Sequence, residues 1–263
     1  MNKAELLRFL DEIGARPKKG LSQNFLIDNN VLHKIVQLAG VKPGDLVLEI
    51  GPGPGALTEE LLNAGARVTA IEMDRTFAEH LSRLQTKDRR LTVHEGDFLD
   101  FELSYLSAGT WKVVANVPYH ITSPILEKLC LQSGQFSSFT LMVQKEVAER
   151  IRAKPGTKAL SSLTLFLQFY TQVHEAFNVS AGCFFPAPNV DSTVIRLDTR
   201  TPPDVDPNVL FPMIRKAFQQ RRKMLTSTLG KQVGLVLEQM GLSAKARPEE
   251  LSLEQWIQLV SCC

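Results

Sequence analysis

The sequence lacks the marks of a secreted, metal-dependent or membrane-spanning protein. Its cysteines, Cys130, Cys183, Cys262 and Cys263, include no C-x-x-C pair and form no framework typical of secreted domains. The five histidines have no ligand spacing with them, so we expect no metal site. No apolar run reaches membrane-spanning length, and acids interrupt the N-terminal stretch, unlike a signal peptide. We therefore expect a cytoplasmic protein with no membrane contact.

The sequence also has little net charge. The formal value is only +2, so any surface for nucleic acid must come from local clustering of charges and not from bulk charge. One cluster, Arg221-Arg222-Lys223, directly follows an apolar helical pattern. A solvated helix face explains such a run, and so does a set of phosphate contacts on folded RNA.

The order of the predicted elements indicates an α/β fold followed by a small helical domain. Strand and helix patterns alternate to about residue 175, which implies a mostly parallel sheet with helices on both faces. The last two strands, near 171–178 and 192–197, suggest an antiparallel edge pair. A segment with three prolines, 201–207, reads as a linker, and only helical patterns follow. We predict one domain over 1–200, with an N-terminal extension over 1–23, and an all-helical domain over 201–263.

A glycine-rich turn with two later acids predicts a nucleoside-binding site. Gly51-Pro52-Gly53-Pro54-Gly55 joins a first predicted strand to a helix, and such a turn lets a ligand approach the backbone closely. Glu72 ends the next strand, about 20 residues on, where an acid grips a ribose diol. Asp97 closes the third strand, where it can reach an adenine amino group. The turn also fits the dinucleotide pattern G-x-G-x-x-A, so NAD is the main competitor. Glu49, just before the turn, argues against NAD because a carboxylate there would repel a pyrophosphate but suits a sulfonium or an ammonium group.

Asn116-Val117-Pro118-Tyr119, called here the NVPY segment, follows the buried strand predicted at 111–115. It combines an amide acceptor, a backbone carbonyl that proline fixes in direction, and an aromatic face. Those groups can hold the amino group of a flat base and present its nitrogen to an electrophile. Asn and Pro also make ordinary turns, so the segment alone is weak evidence.

Taken together, these motifs resemble those of S-adenosylmethionine-dependent methyltransferases and, more narrowly, of the ribosomal RNA adenine N6-dimethyltransferases. The resemblance runs from about residue 18 to about residue 229. The matching blocks are GLSQNFL at 20–26, EIGPGPG at 49–55, IE at 71–72, GD at 96–97, NVPY at 116–119, LMVQKEV at 141–147, FFPAPNVDS at 184–192 and FQQRRKML at 218–225. It implies a Rossmann-like class I methyltransferase sheet with a small helical C-terminal domain.

Within this family, one branch dimethylates two adjacent adenosines near the 3′ end of small-subunit ribosomal RNA, and another dimethylates large-subunit RNA and gives macrolide resistance. The VDS motif at 190–192, the full QRRK block at 220–223 and the extended C-terminal region resemble the first branch. Ala115, Val117 and Phe185 depart from its pattern, and the bulk of Phe185 puts the packing beside the base in doubt. A large-subunit RNA, DNA adenine or protein glutamine substrate stays open, as does a non-catalytic role in ribosome assembly.

The resemblance assigns roles residue by residue. S-adenosylmethionine would contact Asn24, Leu26, Gly51, Glu72, Asp97 and Asn116. Asn116 and Val117 would accept the N6 hydrogens, Pro118 would fix the Val117 carbonyl, and Tyr119 and Phe184 would hold the two faces of the base. RNA contacts would come from Arg221, Arg222 and Lys223. The implied partner is small-subunit RNA or the assembling 30S subunit, and we expect a monomer.

Overall fold

The structure, a computed structural model, describes residues 1–18, 20 and 23–262. Lys19, Leu21, Ser22 and Cys263, which the motifs and composition above include, lie outside the described residues. The chain divides into two compact units: unit 1 comprises Met1–Ala148 and Val173–Thr199, and unit 2 comprises Glu149–Gln172 and Arg200–Cys263. The sequence analysis placed a domain boundary between residues 200 and 201, and the last segment of unit 2 begins at Arg200. It assigned residues 149–172 to the first domain, whereas in the structure they belong to unit 2.

The described residues form nine strands, seven of which make up one mixed sheet. The strands are β1 Phe25–Leu26, β2 Leu46–Ile50, β3 Arg67–Glu72, β4 Leu91–Glu95, β5 Trp111–Asn116, β6 Phe136–Gln144, β7 Thr171–Val179, β8 Phe184–Phe185 and β9 Ser192–Thr199. The sheet order is β4-β3-β2-β5-β6-β9-β7. Neighbours from β4 to β6 run parallel, and β9 runs antiparallel to β6. The strand order reverses between β2 and β5, and ligands of open α/β sheets bind at such a reversal.

Helices alternate with the strands along the chain, and in its described part only helices come after the last strand. They are α1 Lys3–Glu12, α2 Asn29–Ala39, α3 Ala56–Asn63, α4 Arg75–Gln85, α5 Thr122–Leu131, α6 Lys145–Ile151, α7 Ser162–Tyr170, α8 Pro207–Phe218, α9 Leu225–Leu229, α10 Gln232–Gln239 and α11 Leu253–Ser261. The predicted α/β class is confirmed. The starts of α2 and α4 are fixed by Asp28 and Asp74, whose side chains accept hydrogen bonds from backbone N–H groups in the first turn of these helices.

Two hydrophobic clusters position the site in unit 1. The larger lies between the sheet and the pair α2–α3, and includes Leu32, Ile35, Val47, Leu61 and Val68. The smaller joins Leu6 and Leu10 of α1 to Phe25 and Phe77, whose rings meet edge to face at 5.3 Å. A two-stranded antiparallel sheet, β1 with β8, is part of this corner. The sequence analysis missed that sheet because each strand is two residues long and their partners are far apart in sequence.

An aromatic cluster packs α7 against α8 within unit 2. Phe166 and Phe169 of α7 contact Phe211 of α8 at ring-centroid distances of 4.9 and 5.2 Å, and Tyr170 stacks on the same ring. Burying large aromatic rings against each other is among the strongest packing interactions in a small domain. This contact explains why α7 belongs with the C-terminal helices and not with the sheet.

The capping box at the start of α11 gives a first test of stability. Ser252 Oγ accepts from the Gln255 N–H at 3.2 Å, and Gln255 Oε1 accepts from the Ser252 N–H at 2.9 Å. We expect Ser252→Ala to lower the free energy of unfolding by about 1 kcal/mol, measured by urea unfolding. Ser261→Ala, at the exposed end of the same helix, is the control and should change it by less than about 0.5 kcal/mol. Equal effects of the two changes would contradict this account of the cap.

Candidate active site

A cavity of about 340 Å³ lies at the carboxyl ends of β2, β3 and β5. The predicted cofactor residues all line it: Asn24, Leu26, Gly51, Glu72, Asp97 and Asn116. Val117, Pro118 and Tyr119 of the NVPY segment line it too. The structure therefore brings together, around one pocket, residues that lie on five separate segments of the chain. Their individual contacts with a cofactor stay predictions.

The glycine turn has a shape that other residues would resist. Gly51, Gly53 and Gly55 have φ values of +66°, +54° and +89°, a region that favours glycine. A Cβ on Gly55 would also lie 2.8 Å from Leu81 Cδ2. The turn thereby brings bare backbone to the cavity wall, as a ligand that contacts the backbone requires.

Glu72 is held by the backbone on both sides. Its carboxylate, 5% exposed, accepts from the Gly53 N–H at 2.8 Å and from the Asp74 N–H at 2.7 Å. Burial raises the pKa of Glu72, and these two hydrogen bonds to the ionised form act in the opposite direction. The carboxylate is therefore fixed in place before any ligand arrives, with acceptor capacity left for ribose hydroxyls.

Glu49 is a second buried acid in the cavity wall. It is 1% exposed and accepts a hydrogen bond from Thr58 Oγ1 at 2.7 Å. Burial, together with the nearby charge of Glu72, raises the pKa of Glu49 to about 8. The carboxyl group is therefore mostly neutral at pH 7 in the empty pocket. A positively charged ligand beside it would favour the ionised form.

Asp74 ties the N-terminal segment to this pocket. It is 4% exposed and contacts Gln23 Nε2 at 3.0 Å and Lys18 Nζ at 2.9 Å. Burial alone would raise its pKa, but the hydrogen bonds from Lys18 and Gln23 outweigh that effect, and the pKa of Asp74 is lowered. Sequence reasoning missed this residue, because an acid before a helix reads as a cap and Asp74 does cap α4.

The NVPY segment lies where two cavities meet. A second, larger cavity of about 1270 Å³ shares Gln23, Asn24, Tyr119 and His120 with the first. Asn116 Nδ2 donates to the Asn24 carbonyl at 3.3 Å, which leaves the amide oxygen as the acceptor that the predicted role requires. The Tyr119 hydroxyl bonds to Ser192 Oγ at 2.6 Å and so fixes the ring. Burial raises the pKa of Tyr119, which keeps the phenol neutral.

Phe184 does not lie where the sequence analysis expected it. Its side chain is 3% exposed and belongs to the larger hydrophobic cluster, so it would have to leave the core to touch a base. Phe185 instead lines the second cavity, with Lys3 Nζ 5.0 Å from its ring centroid. Successive residues of a strand face opposite sides, and the sequence FF gives no sign of which ring turns inward.

The three basic residues after α8 have different environments. The Arg221 guanidinium donates to the Lys158 carbonyl at 2.8 Å and to the Leu160 carbonyl, and it lies over the Phe218 ring at 5.6 Å. Arg222 and Lys223 are exposed. Arg221 is therefore engaged within unit 2, whereas its two neighbours present their charges to solvent.

Neither a metal-binding cluster nor a membrane-spanning helix is found in the described part of the chain. Over 1–18, 20 and 23–262, no group of three or more His, Cys, Asp or Glu side chains is arranged to hold a metal ion. In the same part of the chain, no helix combines the length and apolar character needed to cross a bilayer.

Comparison with known proteins agrees with the fold. The mixed sheet flanked by helices is that of a class I S-adenosylmethionine-dependent methyltransferase. The family profile described as ribosomal RNA adenine dimethylase matches residues 14–263. This chain belongs to the ribosomal RNA adenine dimethylase family.

Individual relatives cover nearly the whole chain. A Protochlamydia amoebophila protein named ribosomal RNA small subunit methyltransferase A is 46% identical over 97% of this chain and 94% of its own length. A dimethyladenosine transferase from Plasmodium falciparum superposes with a TM-score of 0.78 at 26% identity, over 89% of this chain and 95% of that one. The 23S rRNA methyltransferase ErmE superposes with a TM-score of 0.71 at 28% identity, over 90% of this chain and 98% of that one.

The raised pKa of Glu49 predicts a pH dependence of stability. Between its ordinary pKa of 4.5 and the folded value of about 8, the folded protein holds a proton that the unfolded chain has lost. The free energy of unfolding of the ligand-free protein therefore falls as pH rises through this range. Glu49→Gln removes the ionisation and keeps an acceptor for Thr58. We expect it to raise Tm by several degrees at pH 9 and to leave it nearly unchanged at pH 5. The same shift at both pH values would contradict the assignment.

The different environments of Arg221 and Arg222 predict different effects when each is replaced by alanine. Arg221→Ala should lower the free energy of unfolding by about 1–2 kcal/mol, because the Lys158 and Leu160 carbonyls lose a charged donor. Arg222→Ala should leave stability within about 0.5 kcal/mol. If Arg222 contacts phosphate, its loss should weaken RNA binding and make the salt dependence shallower. Urea unfolding and RNA-binding titrations at several salt concentrations measure both quantities, and equal destabilisation by the two changes would refute the distinction.

Proposed function

We propose that this protein transfers methyl groups from S-adenosylmethionine to N6 of two adjacent adenosines near the 3′ end of small-subunit ribosomal RNA. The observation that carries the proposal is the meeting of two cavities at the NVPY segment. One cavity has the acids suited to a nucleoside, and the other is large enough for a base and part of its RNA. Tyr119 lines both, so a methyl donor and an acceptor base would approach each other there.

The choice of the small subunit rests on the relatives. Those that are 43–47% identical are named for the small subunit, whereas the large-subunit relative ErmE is 28% identical. The proposed partner is the assembling 30S subunit, and the proposed location is the cytoplasm. Since one chain supplies both cavities, a monomer suffices for the reaction.

The first cavity would hold the cofactor by its charged and polar ends. Glu72 would accept the ribose hydroxyls, Asp97 the adenine amino group, and the turn at Gly51 would contact the methionine part. When bound, the cofactor supplies a methyl group on a positively charged sulfur. Glu49 would lose its proton as that positive charge arrives, and would then stabilise it across the pocket.

The second cavity would hold the target base, turned out of the RNA, with Tyr119 against its face. Adenine N6 is a poor nucleophile because its lone pair is delocalised into the ring. With the Asn116 amide oxygen and the Val117 carbonyl accepting the two N–H groups, charge developing on nitrogen is stabilised and a pyramidal nitrogen is favoured. The Val117 N–H donates to the Met142 carbonyl at 3.2 Å, which fixes this peptide to β6.

Transfer would then depend mainly on geometry, because the NVPY segment must hold the acceptor nitrogen at near-attack distance from the methyl group that the cofactor would supply. No general base is needed, since the proton can leave to water afterwards. After the first round one N–H is gone, so the second transfer proceeds with one of the two hydrogen bonds. The same pocket must then accept a methyl group in place of that hydrogen.

A labelling experiment tests the proposal. Purified protein would be incubated with tritiated S-adenosylmethionine and small subunits that lack methylation at their 3′-end adenosines. We expect label as N6,N6-dimethyladenosine, and at least about a hundredfold loss of rate with Asn116→Ala, the cost of removing one preorganised group at a reacting centre. Asn63→Ala, an exposed amide at the end of α3, is the matched control.

Each alternative gives a different result. Label in large subunits and not in small ones would move the substrate to the other branch. No label in either, with cofactor binding intact, would refute ribosomal RNA methylation. An Asn116→Ala protein that still binds small subunits with an unchanged effect on their assembly would favour a non-catalytic assembly role.

A further inference from the structure

We infer that Lys128 is a positioning residue for the cofactor's adenine, because it fixes the turn that carries Asp97. The inference rests on the proposed cofactor and deepens it. Lys128 is on α5, and nothing in its sequence context marks it as part of a site. Its role would be to make Asp97 selective for adenine over bases that lack the amino group.

The Lys128 ammonium is clamped to one turn of backbone. Its Nζ donates to the carbonyls of Phe98, Leu99 and Phe101 at 2.8, 2.7 and 2.6 Å. It also lies 5.1 Å from the centroid of the Phe98 ring. Three donors of one ammonium thus meet three carbonyls within four residues, which uses the full donor capacity of the group.

The clamped turn begins at the adenine acid. Asp97 and Phe98 line the cofactor cavity, and Phe98 is 3% exposed. Asp97 Oδ1 accepts from the Leu99 N–H at 2.8 Å, so Oδ2 is the oxygen that can receive an amino group. The Leu99 peptide therefore contacts Asp97 through its N–H, while the Leu99 carbonyl contacts Lys128. Moving this turn would move the carboxylate.

Lys128 also connects two parts of the site. α5 begins at Thr122, three residues after the NVPY segment, so the helix that follows the acceptor site holds the turn at the adenine end of the cofactor. Burial lowers the pKa of Lys128, and the nearby charges of Glu102, Asp100 and Asp97 act in the opposite direction. Without the lysine, no positive charge would offset the repulsion between these acids and the three carbonyls, and we expect the turn to open.

Adenine selectivity is the readout that tests the inference. Affinities for S-adenosylhomocysteine and for S-inosylhomocysteine, which has an oxygen in place of the amino group, would be measured by calorimetry. For the wild-type protein we expect a preference of about ten- to a hundredfold for the adenine compound, the effect of one hydrogen bond to a charged group. Lys128→Met keeps an unbranched side chain, shorter by one atom, and removes the donors. We expect it to reduce this preference to less than about threefold.

A matched lysine separates positioning from general stability. Lys112 Nζ is bound in a similar way, to the Gly40 carbonyl and Asp45 Oδ2, each at 2.6 Å, but neither of these partners lines the cofactor cavity. Lys112→Met should lower Tm and leave the adenine preference unchanged. Asp97→Ala should lose the preference by itself, and adding Lys128→Met to it should cause no further loss.

The outcomes are distinct. A Lys128→Met protein that keeps the wild-type preference overturns the inference, as does an equal loss in Lys112→Met. A wild-type protein that does not distinguish the two compounds overturns the inference together with the role of Asp97. The labelling assay tests methyl transfer independently, so that result would not be confused with failure of the proposed function.

Discussion

The buried carboxylate of Glu72 is the interaction on which the rest of the site depends. One of its oxygens is bound by the turn after β2 and the other by the turn after β3, so a single side chain sets the distance between two crossovers of the sheet. Asp74, whose N–H completes this arrangement, holds Gln23, and the next residue, Asn24, accepts from Asn116. The end of the pocket at Glu72 and the NVPY segment are thus linked through backbone and side-chain contacts.

This arrangement places two acids in an apolar wall, which opposes folding of the empty protein. Burial raises the pKa of both carboxyl groups, but Glu72 accepts two backbone hydrogen bonds that act against this effect, whereas Glu49 accepts one hydrogen bond from a hydroxyl group. Such groups are common where a charged ligand will complete the site. The wall is therefore better suited to the cationic cofactor than to an empty pocket.

The sequence was most informative where local chemistry decides structure. The glycine turn, with Glu72 and Asp97 at the ends of the next two strands, predicted residues that line one pocket in the structure. The sequence was least informative where contacts between residues far apart along the chain decide the structure. The pairing of β1 with β8 and the membership of α7 in unit 2 depend on contacts with residues far along the chain. The same is true of Arg221, whose carbonyl partners lie about sixty residues earlier. It is also true of the pair 184–185, in which Phe184 is the ring buried in the core.

The chain of contacts from Gly53 through Glu72 and Asp74 to Gln23 has a consequence for how this protein can diverge. Residues that share partners show non-additive effects when they are changed. A substitution at one of these four positions would alter the background in which the other three are selected. The pocket is therefore expected to change during evolution by groups of compensating substitutions, while the exposed faces of its helices drift one residue at a time.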